Sequence, residues 1–199
     1  MAEAKFLRLE SVTSTQDVAR TLAIGSIVVA DHQTAGRGRL ERHWDAPPGA
    51  ALLVSFVLAP NPLLSLAAGV AAAQACRSDV RLKWPNDLLL EGKKVGGILV
   101  ETTPERAICG IGINLTWAPP GAAKLEQPRE ELLERLREQI DEWASAPQDR
   151  ILQRWRELSV TLGRRVRIDS TEGMADDIGP HGELIVDGRS FVAGSVTHL

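Results

Sequence analysis

Cysteine and histidine are scarce in this chain, with two of the former and four of the latter among 199 residues. Cys76 and Cys109 sit inside apolar segments without metal-type spacing, and they read as reduced core residues. No pair among His32, His43, His181 and His198 is spaced like metal ligands, which argues against a zinc site held by the protein alone. Long hydrophobic runs are missing too. The longest, Ala50–Ala59 and Leu63–Ala75, are too short to cross a hydrocarbon core of about 30 Å. The opening Met1-Ala2-Glu3-Ala4-Lys5 lacks the basic-then-apolar plan of a signal peptide, so a cytoplasmic location is expected. There is no excess of positive charge: a net charge of −3 and a pI of about 5.8 give no footprint for nucleic acid. Two phosphate motifs are absent as well. No Gly-Lys-Ser/Thr follows a glycine loop, and no helix follows Gly110-x-Gly112, so neither a P-loop nor a dinucleotide fold is indicated. Lysine is the last scarcity. Only five of the 23 basic residues are lysines, and Lys83, Lys93 and Lys94 lie close together, which points to sites needing a compact ammonium, chance clustering with a turn-exposed Lys93 being the alternative.

What is present is an ordinary globular composition, 44% hydrophobic and 25% charged, patterned as α+β. Phe6–Leu9 alternates like a strand, and Ser14 is placed to cap a short helix ending at Gly25. Strands are expected at Ser26–Ala30, Ala51–Leu58, Val80–Lys83, Asp87–Leu90, Val95–Glu101 and Arg106–Asn114, with Glu91-Gly92-Lys93 as a tight hairpin. Leu63–Arg77 is apolar all round, as a buried helix is. Two amphipathic helices follow, one over Pro128–Trp143 and one carrying Ile151, Leu152, Trp155 and Leu158. The tail changes character: short strands at Val166–Ile168, Gly182–Val186 and Ser190–Ala193, broken by glycines, predict a small β-barrel. The expected division is 1–160 for a main domain and 161–199 for the tail module.

Polar patches interrupt these apolar strands. Gln33-Thr34-Ala35-Gly36-Arg37-Gly38-Arg39-Leu40-Glu41-Arg42-His43-Trp44 combines glycines, which permit close backbone approach, with guanidinium forks that match phosphate or carboxylate oxygens. It reads as a mobile anion-binding loop, a solvated basic loop or nucleic-acid contact being the alternatives. Ser14-Thr15-Gln16 is either a ligand contact or only a helix cap, and Lys83-Trp84-Pro85-Asn86-Asp87 either a site or only a turn. Lys94-Val95-Gly96-Gly97-Ile98 and Gly110-Ile111-Gly112-Ile113-Asn114 put glycines inside strands, which suggests a flattened sheet surface beneath a flat ligand.

The order and spacing of these patches resemble the biotin–protein ligase family, also called biotin–[acetyl-CoA-carboxylase] ligases. The resemblance is carried by Ser14-Thr15, Gln33 with Gly36-Arg37-Gly38-Arg39-x-x-Arg42-x-Trp44, Lys83–Asp87, Lys94–Glu101 and Gly110–Asn114. Positions 119–160 resemble it least, and Gly173–Val186 with Gly194-Ser195-Val196 resemble the family's SH3-like tail. It implies a mixed, mainly antiparallel sheet packed with helices, of the class II aminoacyl-tRNA synthetase and biotin–lipoate ligase kind, plus a small C-terminal SH3-like β-barrel. It also implies formation of biotinyl-5′-AMP from biotin and ATP with Mg²⁺, then transfer of biotin to a lysine of a biotin carboxyl carrier protein.

By the same resemblance, Ser14, Thr15, Gln16, Gln33, Arg37, Gly38, Arg39, Trp44, Lys94, Gly97 and Gly112 would bind biotin. Arg37, Arg39, Arg42, Trp44, Lys83, Asn86, Lys94 and Asn114 would bind ATP or the adenylate. Lys94 and Arg39 would be catalytic, as the cations where carboxylate and phosphate meet. Asp87 would either take a proton from the incoming lysine or support Lys83 or Lys94. Trp84 would support the sheet. Two residues depart from the family pattern: Gln16 where asparagine is usual, and Glu41 where glycine is common. Ser14 comes so early that no DNA-binding domain is expected before it, hence a monofunctional ligase acting without nucleic acid or membrane, with a homodimer left open. Alternatives are a biotin or adenylate sensor without transfer, a nucleic-acid-binding protein, and a lipoate or octanoate ligase on the same fold.

Overall fold

Short apolar segments, some alternating and some continuously buried, pair into one mixed sheet. Strands β1 (Phe6–Val12), β2 (Ile27–Gln33), β3 (Ala51–Leu58), β4 (Val80–Lys83), β5 (Asp87–Leu90), β6 (Lys93–Thr102) and β7 (Ala107–Asn114) lie in the order β1-β2-β3-β7-β6-β5-β4. Only β1 and β2 run parallel, joined through the short helix α1 (Thr15–Ala19); the other pairs are antiparallel. This is a computed structural model, and it describes residues 3–40, 42–76 and 79–199. Among them, no helix is long and apolar enough to cross a membrane.

Alternation along the strands separates the two faces of the sheet. Val29, Leu52, Val54, Phe56, Cys109, Ile111 and Ile113 join one large core with α2 (Leu64–Ala75), α3 (Arg129–Ala144) and α4 (Gln148–Leu158). α2 is buried on nearly every side because it lies between the sheet and the other two helices, as its unbroken apolar sequence requires. Both cysteines are free and buried, and burial pushes their thiols up to about 12, which leaves them unreactive near neutral pH.

The opposite face is only partly covered. α1 seals one corner with Ala19 against Val28, Val57 and Ile108. That helix ends at Ala19, well before Gly25, because the backbone amides of Thr21 and Leu22 turn back onto Val18 and Ala19. The remainder of the face carries the glycines and the polar patches.

The tail is a five-stranded antiparallel sheet of β8 (Arg165–Ile168), β9 (Thr171–Ile178), β10 (Leu184–Val186), β11 (Arg189–Phe191) and β12 (Val196–His198), in the order β11-β10-β9-β8-β12. Its inward residues Val166, Ile168, Ala175, Ile178, Leu184, Val186 and Val196 belong to the same continuous core as the main sheet. Trp84 joins the two parts. It is 2% exposed, its Nε1 donates to the Gly182 carbonyl at 3.0 Å, and its backbone N–H donates to Thr161 Oγ1 at 3.0 Å.

Candidate functional site

Two cross-strand rows floor the open face. Asp87, Gly97, Gly112 and Leu53 are register partners in succession across β5, β6, β7 and β3, and Leu99, Gly110 and Ser55 form the next row. The glycines in these rows seat protein side chains. A Cβ at Gly112 would lie 2.7 Å from Cε2 of Trp44, and one at Gly110 would lie 3.1 Å from Cδ of Gln16. The flattened surface expected from the glycine pattern therefore carries an indole and an amide, with a pocket between them and the arginine loop. Trp44 Nε1 is buried without a hydrogen-bond partner, a donor that a ligand acceptor would satisfy.

At one end of the pocket, three polar side chains fix one another. Gln33 Oε1 accepts from the Thr15 amide at 2.8 Å and from Thr15 Oγ1 at 3.0 Å. With its proton committed there, the Thr15 hydroxyl accepts from Ser55 Oγ at 2.8 Å, so fully buried Ser55 sets its orientation. Ser14 caps α1, its Oγ accepting from the Gln16 amide at 3.3 Å, and its hydroxyl hydrogen stays available to the pocket. The cap and ligand readings of Ser14 are thus compatible. Gln16 Nε2 donates to the carbonyls of Leu99 at 3.0 Å and Ile108 at 3.4 Å, which fastens α1 to β6 and β7. Its length is what spans Gly110 to reach them.

The other end gathers cations. Lys94 Nζ lies 2.6 Å from Asp87 Oδ1 and sits over Gly97. In a regular strand, residues 94 and 97 would face opposite sides. A register shift between Leu88 and Leu89 on the partner strand leaves Val95 unpaired, sends Val95 into the core, and turns Lys94 to the pocket. Arg39 Nη1 donates to Asn86 Oδ1 at 3.4 Å, and Asn86 Nδ2 donates to the Ile98 carbonyl at 2.7 Å. Burial lowers the Arg39 guanidinium from its ordinary value, Asp87 opposes that shift, and Arg42 adds to it. Lys83 lines the same end. Burial, followed by the charges of Lys83 and Arg164, holds nearby His198 below the usual histidine value.

The loop over the pocket is a small hairpin. Gly38 N donates to the Arg42 carbonyl at 2.7 Å, Trp44 N donates to the Gly36 carbonyl at 2.9 Å, and Arg37 bridges His43. Gly36 is demanded by close approach, since a Cβ there would fall 2.3 Å from the Trp44 carbonyl oxygen. Among the described residues of the loop, the positive φ falls on Leu40, at 54°, rather than on either glycine. Glu41, the departure within this loop, lies outside the described residues.

Ser14, Thr15, Gln16, Gln33, Arg37, Gly38, Arg39, Arg42, Trp44, Lys83, Asn86, Asp87, Lys94, Gly97 and Gly112 all line this one pocket. Asn114 does not. It is buried at the end of β7, with Nδ2 donating to the Ala123 carbonyl at 3.0 Å, and it anchors the loop that follows β7. Arg37 lines the pocket, but its guanidinium is turned onto Asp17 and Glu101. Residues that the sequence did not assign to the site also contribute: Leu53, Ile111 and, from the tail, Gly194, Ser195 and Val196, with Arg42 Nη2 donating to Ser195 Oγ at 3.0 Å.

The fit of Trp44 to Gly112 makes a testable point. Gly112→Ala is expected to displace the indole and weaken binding of the pocket's ligand, biotin on the sequence resemblance, by about tenfold or more, the scale of an overpacked site. Equilibrium dialysis measures it. Gly112→Ala in a Trp44→Ala background should cost little further, because the clash is then gone; full additivity of the two changes would count against the contact.

A sheet face with a polar end, a glycine floor and a cation cluster is a site suited to a small organic acid beside a phosphate. The chain matches the family model described as the Biotin/lipoate A/B protein ligase family over residues 7–116, and it belongs to that family. The biotin--[acetyl-CoA-carboxylase] ligase of Mycobacterium tuberculosis is 35% identical over 213 residues, covering 88% of this chain and 79% of that protein. The bifunctional ligase/repressor BirA of Bacillus subtilis is 41% identical over 128 residues, covering 54% of this chain but 39% of its own length. The biotin protein ligase from Aquifex aeolicus, solved in complex with biotin and ATP, superposes with a TM-score of 0.84 at 26% identity, covering 98% of each chain.

Proposed function

We propose that this protein is an ATP-dependent biotin–protein ligase, forming biotinyl-5′-AMP and passing biotin to a lysine of a biotin carboxyl carrier protein. The observation that carries the reading is one pocket with ureido-matching groups at one end and Lys94, Arg39 and Lys83 at the other. Ser14 O–H and the Gln33 amide N–H groups are donors suited to the ureido carbonyl, and the floor between Trp44 and Leu53 is apolar enough for the rings and tail. The lipoate side of the family is disfavoured because a dithiolane offers nothing for these donors to satisfy.

In the first step, a biotin carboxylate oxygen attacks the α-phosphorus and the bond to the β-phosphate oxygen breaks, releasing pyrophosphate. Two anions must meet. Lys94, held over Gly97 by Asp87, is placed to draw both together, and Arg39 adds a second charge from above. Lys83 and Arg42 serve the phosphate tail, and Mg²⁺ brought in with ATP would neutralise part of its charge. At this end, Asn86 Oδ1 and Asp87 are engaged with Arg39 and Lys94, so ATP itself would supply most ligands for the metal. In the second step, a neutral lysine amine attacks the acyl carbon, the bond to the phosphate oxygen breaks so that AMP leaves, and the amine proton passes to solvent. The short Lys94–Asp87 contact favours a positioning role for Asp87 over that of base.

The test is pyrophosphate release on adding biotin and MgATP, with labelled biotin then appearing on a carrier domain. Lipoate should give neither. Tight biotin binding without pyrophosphate release would replace this reading with a sensor, and release with lipoate alone would replace it with a lipoate ligase.

A further inference from the structure

Arg37 directs its charge away from the pocket. Its Nη1 lies 2.7 Å from Asp17 Oδ1 and its Nη2 lies 3.5 Å from Glu101 Oε1. Arg20 completes a ring of alternating charge, at 2.8 Å from Glu101 Oε2 and 3.6 Å from Asp17 Oδ1. Two guanidinium groups therefore face two carboxylates, and the ring is neutral.

The members differ in how they are held. Asp17 and Arg20 belong to α1 and its cap, and Gln16 ties that helix to Leu99 and Ile108. Glu101 sits in β6, in register with Ile108. These three are fixed to the sheet, and Arg37 alone belongs to the hairpin. From Arg37 the hairpin carries Arg39 to Asn86 and Trp44 to Gly112. At its far side Arg42 rests on Ser195.

We propose that Asp17 and Glu101 are positioning residues that hold the hairpin closed through Arg37, and that they govern retention of the adenylate rather than its formation. The ligand in this statement rests on the ligase reading above; the closure does not. A carboxylate pair fixed to α1 and β6 neutralises Arg37 without competing with the phosphate for Lys94 or Arg39. An exposed ion pair shifts an equilibrium by only about 1.5- to 5-fold, but Arg37 makes two such contacts, and opening breaks both.

The experiment uses the full chain with Asp17→Asn and Glu101→Gln combined, which keeps shape and removes charge. Adenylate preloaded from labelled biotin and MgATP should dissociate about tenfold faster than from wild type, while the rate of the first-turnover burst of pyrophosphate stays within about twofold. Wild-type dissociation should quicken with salt, because these pairs are partly exposed and are screened over about 8 Å at physiological ionic strength. The double variant should show little salt response. Glu101→Asp alone, which restores the charge, should recover part of the retention relative to Glu101→Gln. In ligand-free protein, trypsin should cut after Arg37 and Arg39 faster in the double variant. Unchanged adenylate release overturns the proposal, and so does a loss of pyrophosphate release with wild-type trypsin rates. If wild type makes no adenylate, the ligase reading fails by itself, and trypsin rates then decide whether the closure stands.

Discussion

Lys94→Ala is expected to reduce adenylate formation by about 10²–10³, measured as pyrophosphate release with biotin and ATP saturating. The size follows from where the ammonium sits. It lies over Gly97, on the floor that the acid and the α-phosphate must share, and Asp87 holds it at 2.6 Å. Removing it takes away the cation that offsets repulsion between carboxylate and phosphate, and it leaves the Asp87 carboxylate facing that meeting point unpaired. Lys94→Arg keeps the charge but not the compact ammonium, and should restore only part of the rate. Pyrophosphate release near wild type in Lys94→Ala would remove this residue from the centre of the mechanism. Binding of biotin alone should fall far less, since its ureido end is held elsewhere.

Trp84→Ala is expected to destabilise the protein by about 3–5 kcal/mol, the range for deleting a buried aromatic side chain. The indole fills core space beneath the turn at 84–86 and bonds the Gly182 carbonyl, so its loss loosens the tail sheet from the main one. Trp84→Phe keeps most of the packing and gives up the hydrogen bond, for a smaller loss of about 1–2 kcal/mol. Denaturant midpoints at unchanged slope measure both. A midpoint for Trp84→Ala within a few tenths of a molar of wild type would mean that the joint bears little of the stability.

The motifs were legible because they are local. The turn at 84–86 and the hairpin at 91–92 follow from proline, asparagine and glycine at turn positions, and an alanine-rich segment apolar on all sides can only be a buried helix. Strand β9 was not legible, because two of its inward residues are Gly173 and Ala175, too small to mark an alternating face. The bulge at Val95 was hidden as well: in Lys94-Val95-Gly96-Gly97, nothing local says that the partner strand skips a residue. Contacts between distant positions were out of reach for the same reason. Asp17 looks like an ordinary acid in a helix's first turn and Glu101 like a strand end, until the fold brings Arg37 to both. Asn114 shows what a motif leaves out. It closes a glycine-rich strand as a ligand residue would, yet its amide serves the backbone of Ala123.

The wall contributed by Gly194, Ser195 and Val196 has a consequence for synthesis. A nascent chain that has emerged through Asn114 already holds Lys83, Lys94 and the arginine hairpin, and its seven main strands can pair. It lacks Ser195, which lies 153 positions beyond Arg42. At about 5–20 residues per second, about 10–40 s separate the first strands from the last wall. The pocket is thus completed late in translation, and a half-made chain cannot yet enclose a reactive intermediate.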